Sequence, residues 1–397
     1  MDKQVRKYAF FPSTKEELHD LVSTTYIDLS AVDISKITDM SELFLDSKRT
    51  MFYGIDTWDV SHVTNMASMF AGAVNFNGDI SMWDTSNVED MSYMFSGAEF
   101  FHQDISRWNV SKVTNMAGMF QGAKKFNACI DEWDVSSVED MSYMFDGAES
   151  FNHNIGKWNV SNVKNTASMF ARASNFNQNI GAWDVSNVED MSKMFYMASS
   201  FNKCIKNWNV AKVKNMAGMF HMCFNFNQDI SLWNVSSVED MSYMFYQAEY
   251  FNQDISFWNV SNVKNMSCMF HAASHFNQNI GSWNVSNVVD MFSMFYFVER
   301  FNQDISSWNV SNVENMEGMF AFAKRFNCDI SCWNVSKVRN MKQMFWSAEK
   351  FSKDVSAWEV DRVEDMSDMF SECPLEKLPP AWYHKRIMKK RLNFGKM

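Results

Sequence analysis

Apolar residues recur along this chain with a period of 25. A tryptophan stands at Trp58 and at every twenty-fifth residue through Trp358, thirteen in all, with no insertion or deletion between them. The fifth residue after each is Val (Val63 to Val363), and the eleventh and twelfth are Met-Phe (Met69-Phe70 to Met369-Phe370). Near-invariant columns of Ile three before the Trp and Val two after it, and a Phe opening the turns from Phe76 to Phe351, complete the pattern. A register this strict means one supersecondary unit stacked on itself.

Two periods share each unit. Around the Trp, as in Ile155-Gly-Lys-Trp158-Asn-Val160, apolar and polar residues alternate, which predicts a short strand with one buried face. From Val88 the apolar positions are Val88, Met91, Met94, Phe95 and Ala98, steps of three and four that predict a short helix. Ser86 precedes Glu89 by three, and the same signature recurs at Ser136, Ser186, Ser236 and Ser311, where it reads as a capping box. Gly72, Gly97, Gly122 and Gly147 fall where a left-handed residue would close that helix. A strand and a helix repeated in register give an α/β solenoid of about 13 turns, with a parallel sheet of ~60 Å along the stacking axis.

One such unit cannot stand alone. Eight or nine apolar side chains at about 1.5–3 kcal/mol each only match the ordering cost of 25 residues at about 1.5 kcal/mol apiece, so neighbouring turns must supply the surplus. Charge agrees with stacking. The residue after the fixed Val reads Lys164, Glu189, Lys214, Glu239, Lys264 on successive turns, and the next reads Asn165, Asp190, Asn215, Asp240, Asn265. Alternation removes the repulsion that like charges in one file would cause.

The ends break the pattern, as a solenoid requires. Residues 1–57 read as an N-terminal cap, with an amphipathic helix from Ser13 to Val22 capped by Ser13 and Glu16, and a degenerate first repeat from Ile34 to Phe44 without the Trp. Residues 58–373 read as the repeat array, and 374–397 as a basic C-terminal cap or tail. The four prolines, Pro12, Pro374, Pro379 and Pro380, all lie outside the array.

A net charge of −11 and a pI near 5.3 argue against a nucleic-acid binder, which needs clustered Lys and Arg. Seven cysteines, odd in number and without a CxxC pair, argue against a disulfide framework and fit a reducing compartment. No apolar run in the first thirty residues suits a signal peptide, and no later stretch approaches a membrane span, so a cytoplasmic location is expected. The tripeptide Asn-Val-Ser occurs seven times, from Asn109 to Asn334, always at one repeat position, which reads as structural rather than as glycosylation.

The unit FNQDISxWNVSNVxDMSxMFxxA resembles the BspA-like leucine-rich repeats, in particular the 25-residue group of unknown function abundant in mycoplasma lipoproteins. The resemblance covers roughly residues 30–373, with Ile155-x-x-Trp158-x-Val160 in place of the LxxLxL strand and Val163 with Met169-Phe170 in the convex segment. It implies a leucine-rich-repeat-like right-handed solenoid, a bacterial origin and, for many relatives, surface attachment or adhesion. A cell-surface location is therefore the alternative expectation, and an adhesin or host-interaction protein the alternative function.

Two surfaces are candidate binding sites. If Trp and Val point inward, the residue before each Trp points out from the sheet, giving the varied column Arg107, Glu132, Lys157, Leu232 and Phe257, in which Leu and Phe beside charges form a candidate hot spot. A second stripe follows the Met-Phe pair: Tyr196, His221, Tyr246, His271, Tyr296 and Trp346, joined by Phe297 and Phe322, as a docking face, an oligomer contact or added packing between turns. The basic tail with Lys385, Arg386, Lys389, Lys390 and Arg391 is a solvated cap helix or a contact for an acidic partner or anionic lipid. His271 and His275 share an HxxxH spacing without a third ligand in a motif. Aspartates such as Asp104, Asp229, Asp254 and Asp304 recur every turn and read as turn-stabilising. No catalytic residue, metal or cofactor is expected. The sequence points to a non-catalytic protein-protein interaction scaffold with an unidentified protein partner.

Overall fold

The computed structural model describes residues 8–385. The chain divides into two compact units, Met1–Cys204 and Ile205–Met397.

In the first unit the opening helix, α1, spans Lys15–Ser23. Its cap is Thr14, whose hydroxyl accepts from the Glu17 amide, while the expected cap Ser13 instead binds the Glu17 carboxylate through its own amide and hydroxyl. Leu18 and Val22 are its buried face.

The repeats that follow contain neither the expected strand nor the expected helix. Among the described residues of the array, each 25-residue coil is a succession of turns with one isolated parallel bridge, as between Asp90 and Asn115 or Asn115 and Asp140. The reason lies in how the backbone donors are shared. Along the segment read as helical, alternate amides leave the coil: Met91 donates to the Asn115 carbonyl at 3.1 Å, Tyr93 to Ala117 at 2.7 Å, Phe95 to Met119 at 2.8 Å and Gly97 to Gln121 at 2.6 Å. The amides between them close turns three residues back, Met94 to Met91, Ser96 to Tyr93 and Ala98 to Phe95. An α-helix would consume its amides internally and leave nothing to join the coils. Two left-handed residues per coil, Tyr93 at φ 56° and Gly97 at φ 72°, set this zigzag and are incompatible with a continued right-handed helix.

The segment read as a strand is broken by its own side chains. Asp79 and Asp84 accept from the amides of Ser81 and Ser86 at 3.0 Å each, and the backbone closes turns from Ile80 to Trp83 and from Thr85 to Val88. Such side-chain-to-backbone bonds compete with ladder pairing. The apparent capping box Ser86-x-x-Glu89 is thus the start of a turn, and the Glu89 amide instead donates back to the previous coil at Thr64.

The core is a set of aromatic files. Trp83, Trp108 and Trp133 stack at 6.4 Å between neighbouring centroids, Phe95 lies 5.6 Å from Phe120, and Phe101 lies 6.0 Å from Phe126. Within a coil the two phenylalanines meet face to face, 4.0 Å apart for Phe95 and Phe101. The Trp is fixed by more than its size. Its indole N–H donates to the carbonyl of the Ile in the preceding coil, at 3.0 Å for Trp108 to Ile80 and 3.2 Å for Trp133 to Ile105. Phe in its place would leave that buried carbonyl without its second donor.

The second unit repeats this scheme. Met266, Cys268, Phe270 and Ala272 donate to Asp290, Phe292, Met294 and Tyr296 at 2.7–3.0 Å, and the files run from Trp233 to Trp258, Trp283, Trp308 and Trp333. After Phe370 the pattern ends in a 3₁₀ turn, Pro374–Glu376. Trp382 there donates its indole N–H to the Val355 carbonyl at 3.2 Å, and the Tyr383 ring meets Phe370 edge-on at 4.9 Å.

Candidate functional site

Because no sheet forms, the column before each Trp lies at the outer corner of the Ile-to-Trp turn. Arg107, Glu132 and Lys157 are exposed there. The Arg107 guanidinium reaches the Met82 sulfur at 3.5 Å, and the Lys157 ammonium lies 3.2 Å from the Glu132 carboxylate. Both partners of that ion pair are about three-quarters exposed, so it contributes little to stability. In the second unit Leu232 and Phe257 stand out, 66% and 85% exposed. Met82, 70% exposed in the same column, escaped the sequence reading although its place before Trp83 marks it.

The aromatic stripe is half-buried in the second unit. His221, Tyr246, His271 and Tyr296 stack in series, with centroids 4.4, 4.4 and 4.7 Å apart and planes within 18°. Phe297 stacks on Phe322 at 4.2 Å, and Phe322 meets Trp346 edge-on at 4.7 Å. The inner rings therefore spend both faces on one another and turn edges outward. His271 has a buried Nδ1 without a hydrogen-bond partner, and burial, reinforced by His221, pushes its pKa down to about 4. Tyr196 lies in the first unit, where its carbonyl accepts from the Arg172 amide at 2.6 Å.

His271 and His275 do not converge on a common acceptor. The His275 Nδ1 lies 3.0 Å from the Glu249 carbonyl and 3.2 Å from the Ser274 hydroxyl, and its ring packs against Tyr250. Among the described residues no three His, Cys, Asp or Glu side chains cluster as metal ligands would. Cys223 is buried, and its thiol pKa is pushed well up by that burial. Of the basic tail, Lys385 is exposed, while Arg386, Lys389, Lys390 and Arg391 lie outside the described residues.

The recurrent Asp and Asn residues have defined work. Asp104, Asp229, Asp254 and Asp304 each accept from the amide two residues on at 2.9 Å, and Asn109 of the first Asn-Val-Ser does the same for Ser111 at 3.1 Å. Hydrogen bonds from the following serine hold the pKa of Asp104, Asp254 and Asp304 below the usual value. For Asp229 the Lys206 ammonium at 2.5 Å is the larger cause, and its pKa falls to about 2. The charge alternation read from the sequence appears as ion pairs between neighbouring coils, Lys164 to Glu139 and Lys264 to Glu239, both at 2.6 Å. One ladder went unread: the Asn that follows most of the turn-opening Phe residues accepts from the amide one coil on, as Asn152 does from Asn177 and Asn252 from Asn277. The repeated Phe-Asn pair was its signal.

These features define a tandem-repeat protein of stacked 25-residue coils, welded by backbone ladders and aromatic files. The chain belongs to the family described as Mycoplasma protein of unknown function, DUF285, whose pattern matches residues 14–130, 101–207, 199–302 and 269–379. No curated protein matches it. Among solved structures, Toll from Drosophila in complex with Spatzle is similar at 11% identity over 75% of this chain and 37% of that one, with a TM-score of 0.27. TLR13 in complex with ssRNA13 is similar at 8% identity over 82% and 52%, with a TM-score of 0.26, and InlJ from Listeria monocytogenes at 9% over 76% and 68%, with a TM-score of 0.21. The chain thus spans about two fifths and half of the first two, and likenesses at these scores fix nothing about it. Among the described residues no helix is long and apolar enough to cross a membrane.

Proposed function

We propose that this protein is a non-catalytic protein-binding scaffold of the BspA-like leucine-rich-repeat kind, its coils wound right-handed, and that the column before each Trp carries its contacts. The observation behind this reading is the contrast between inner and outer positions. The inner columns are nearly uniform and packed into the files and ladders, whereas the column before each Trp changes from coil to coil and holds Leu232 and Phe257 with most of their surface in water. Large apolar side chains exposed beside charges are the usual anchors of an interface. The seven free cysteines, three of them exposed, agree with a reducing cytoplasm as the place of action.

A pull-down from the native cell with two variants tests the reading: Arg107→Glu with Lys157→Glu, and separately Leu232→Asp with Phe257→Asp. Loss of a specific partner from either variant is expected. Retention of every partner by both contradicts the assignment. Protease treatment of intact cells tests the location, since cleavage before lysis would place the protein on the surface.

A further inference from the structure

In this acidic chain, cations on the coils are usually neutralised from a neighbouring coil. In the second unit Lys206 pairs with Asp229, Lys264 with Glu239, Lys324 with Glu299 and Lys342 with Glu317. Arg300, Arg325 and Lys350 are different. They occupy one column on three successive coils, all exposed, and among the described residues none has an ion-pair or side-chain hydrogen-bond partner. Like charges stacked at the ~4.8 Å interval of a ladder oppose folding. Nothing in the coil requires them, since the same column holds Ser200 and Asn225 elsewhere.

Four residues further on, the same three coils carry Asp304, Asp329 and Asp354, also exposed. One oxygen of each accepts from the serine amide two residues on, at 2.8–3.0 Å, and no described cation pairs with the other. Mutual repulsion along this file acts against the lowering of the Asp329 and Asp354 pKa values by those serines. Adjacent charges do not cancel either stripe: Lys324 is set between Glu299 and Glu349, and Lys353 faces Asp329 alone. Three unpaired cations thus lie beside three carboxylates on the same coils.

The geometry points to a second copy of this chain as the partner, docked about a two-fold axis along the stacking direction so that Arg300 meets the partner's Asp304, Arg325 the partner's Asp329 and Lys350 the partner's Asp354. Such a surface is self-complementary, as a two-fold interface must be. Pitch selects the partner. An extended peptide repeats its same-face side chains every ~6.6 Å and falls out of step with a ~4.8 Å column, whereas a second coil stack keeps register over all three coils. This pairing uses neither the column before each Trp nor its partner, so it stands apart from the scaffold reading.

Sedimentation velocity on the full chain is the test. The wild type is expected to dimerise in a concentration-dependent way, with a dissociation constant that rises about tenfold between about 50 mM and about 500 mM salt as the pairs are screened. Arg300→Glu with Arg325→Glu and Lys350→Glu removes no intrachain bond and should give a monomer. Asp304→Asn with Asp329→Asn and Asp354→Asn should also give a monomer while the turns persist, because Asn154 and Asn279 make the same turn bond at this place in other coils. A wild type that stays monomeric at low salt overturns the proposal, and so does a triple-Asn variant that remains a dimer. A monomer that sediments faster only with an added single-stranded oligonucleotide overturns it too, by assigning the basic stripe to a nucleic acid.

Discussion

Left-handed backbone at two places per coil is the sharpest demand made on single residues. In the first unit the second of these is glycine at Gly72, Gly97, Gly122 and Gly147, but the second unit fills it with Met222, Gln247, Ala272, Phe297, Phe322 and Ser347, all at φ between 53° and 58°. A side chain there costs about 1 kcal/mol. Gln247→Gly should therefore stabilise the protein by about 1 kcal/mol. Gly97→Ala should destabilise it by a similar amount through backbone strain alone, because the added Cβ would meet the Gly72 backbone at an ordinary 3.5 Å. Urea midpoints that move in the opposite directions would contradict the conformation. His271 makes a second residue-scale prediction. Its folded pKa of about 4 lies below the ordinary histidine value of 6.5, so its contribution is complete above pH 6.5 and is lost as pH falls towards 4. His271→Phe should flatten the stability profile over that window. A profile unchanged by the substitution would show that His271 is not the titrating group.

At the scale of the element, the 25-residue coil is a chain of turns whose polar side chains replace regular pairing. The aspartates at Asp79, Asp134, Asp184 and Asp354 all have pKa values lowered by hydrogen bonds from the serine two residues on. Folded values below the unfolded one mean stability that is present above about pH 4 and lost as pH falls through the lowered values. The urea midpoint should therefore drop between pH 5 and pH 3, and more steeply for the wild type than for a variant with Asp79→Asn, Asp134→Asn and Asp184→Asn. Equal slopes would deny these turns a role. Much of this element was legible: the period, the inward columns, the alternating charges and the turn role of the recurrent aspartates all follow from spacing. The strand and helix did not follow, because Val88, Met91, Met94 and Phe95 satisfy helical periodicity whether the inward residues sit on a helix or on alternate sides of a turn ribbon. Apolar spacing reports which side chains point in; it does not report where the amides donate. The glycines carried the missing information, since Gly118 and Gly122, four apart in one coil, both need positive φ.

Across the molecule, the candidate sites were legible in unequal measure. The exposed column before each Trp follows directly from the burial of Trp, and Leu232 and Phe257 stand where spacing put them. The aromatic stripe was visible as composition, but its face-to-face stacking depends on coil pitch, which the sequence does not state. The unpaired column of Arg300, Arg325 and Lys350 was hidden because its meaning lies in missing partners, and pairing appears only once the coils are stacked. Both units rest on one claim: coils of turns joined by alternate amides, with neither helix nor strand in the repeat. An amide I infrared spectrum of the full chain tests it most directly, because stacked aromatic rings leave that band undisturbed. The account predicts a band dominated by turns and irregular hydrogen-bonded backbone, the described residues supplying helix only in the nine residues of α1 and at 381–385. A spectrum with a third or more of its intensity at the helical position, as ten helical residues per 25-residue coil would give, would contradict it.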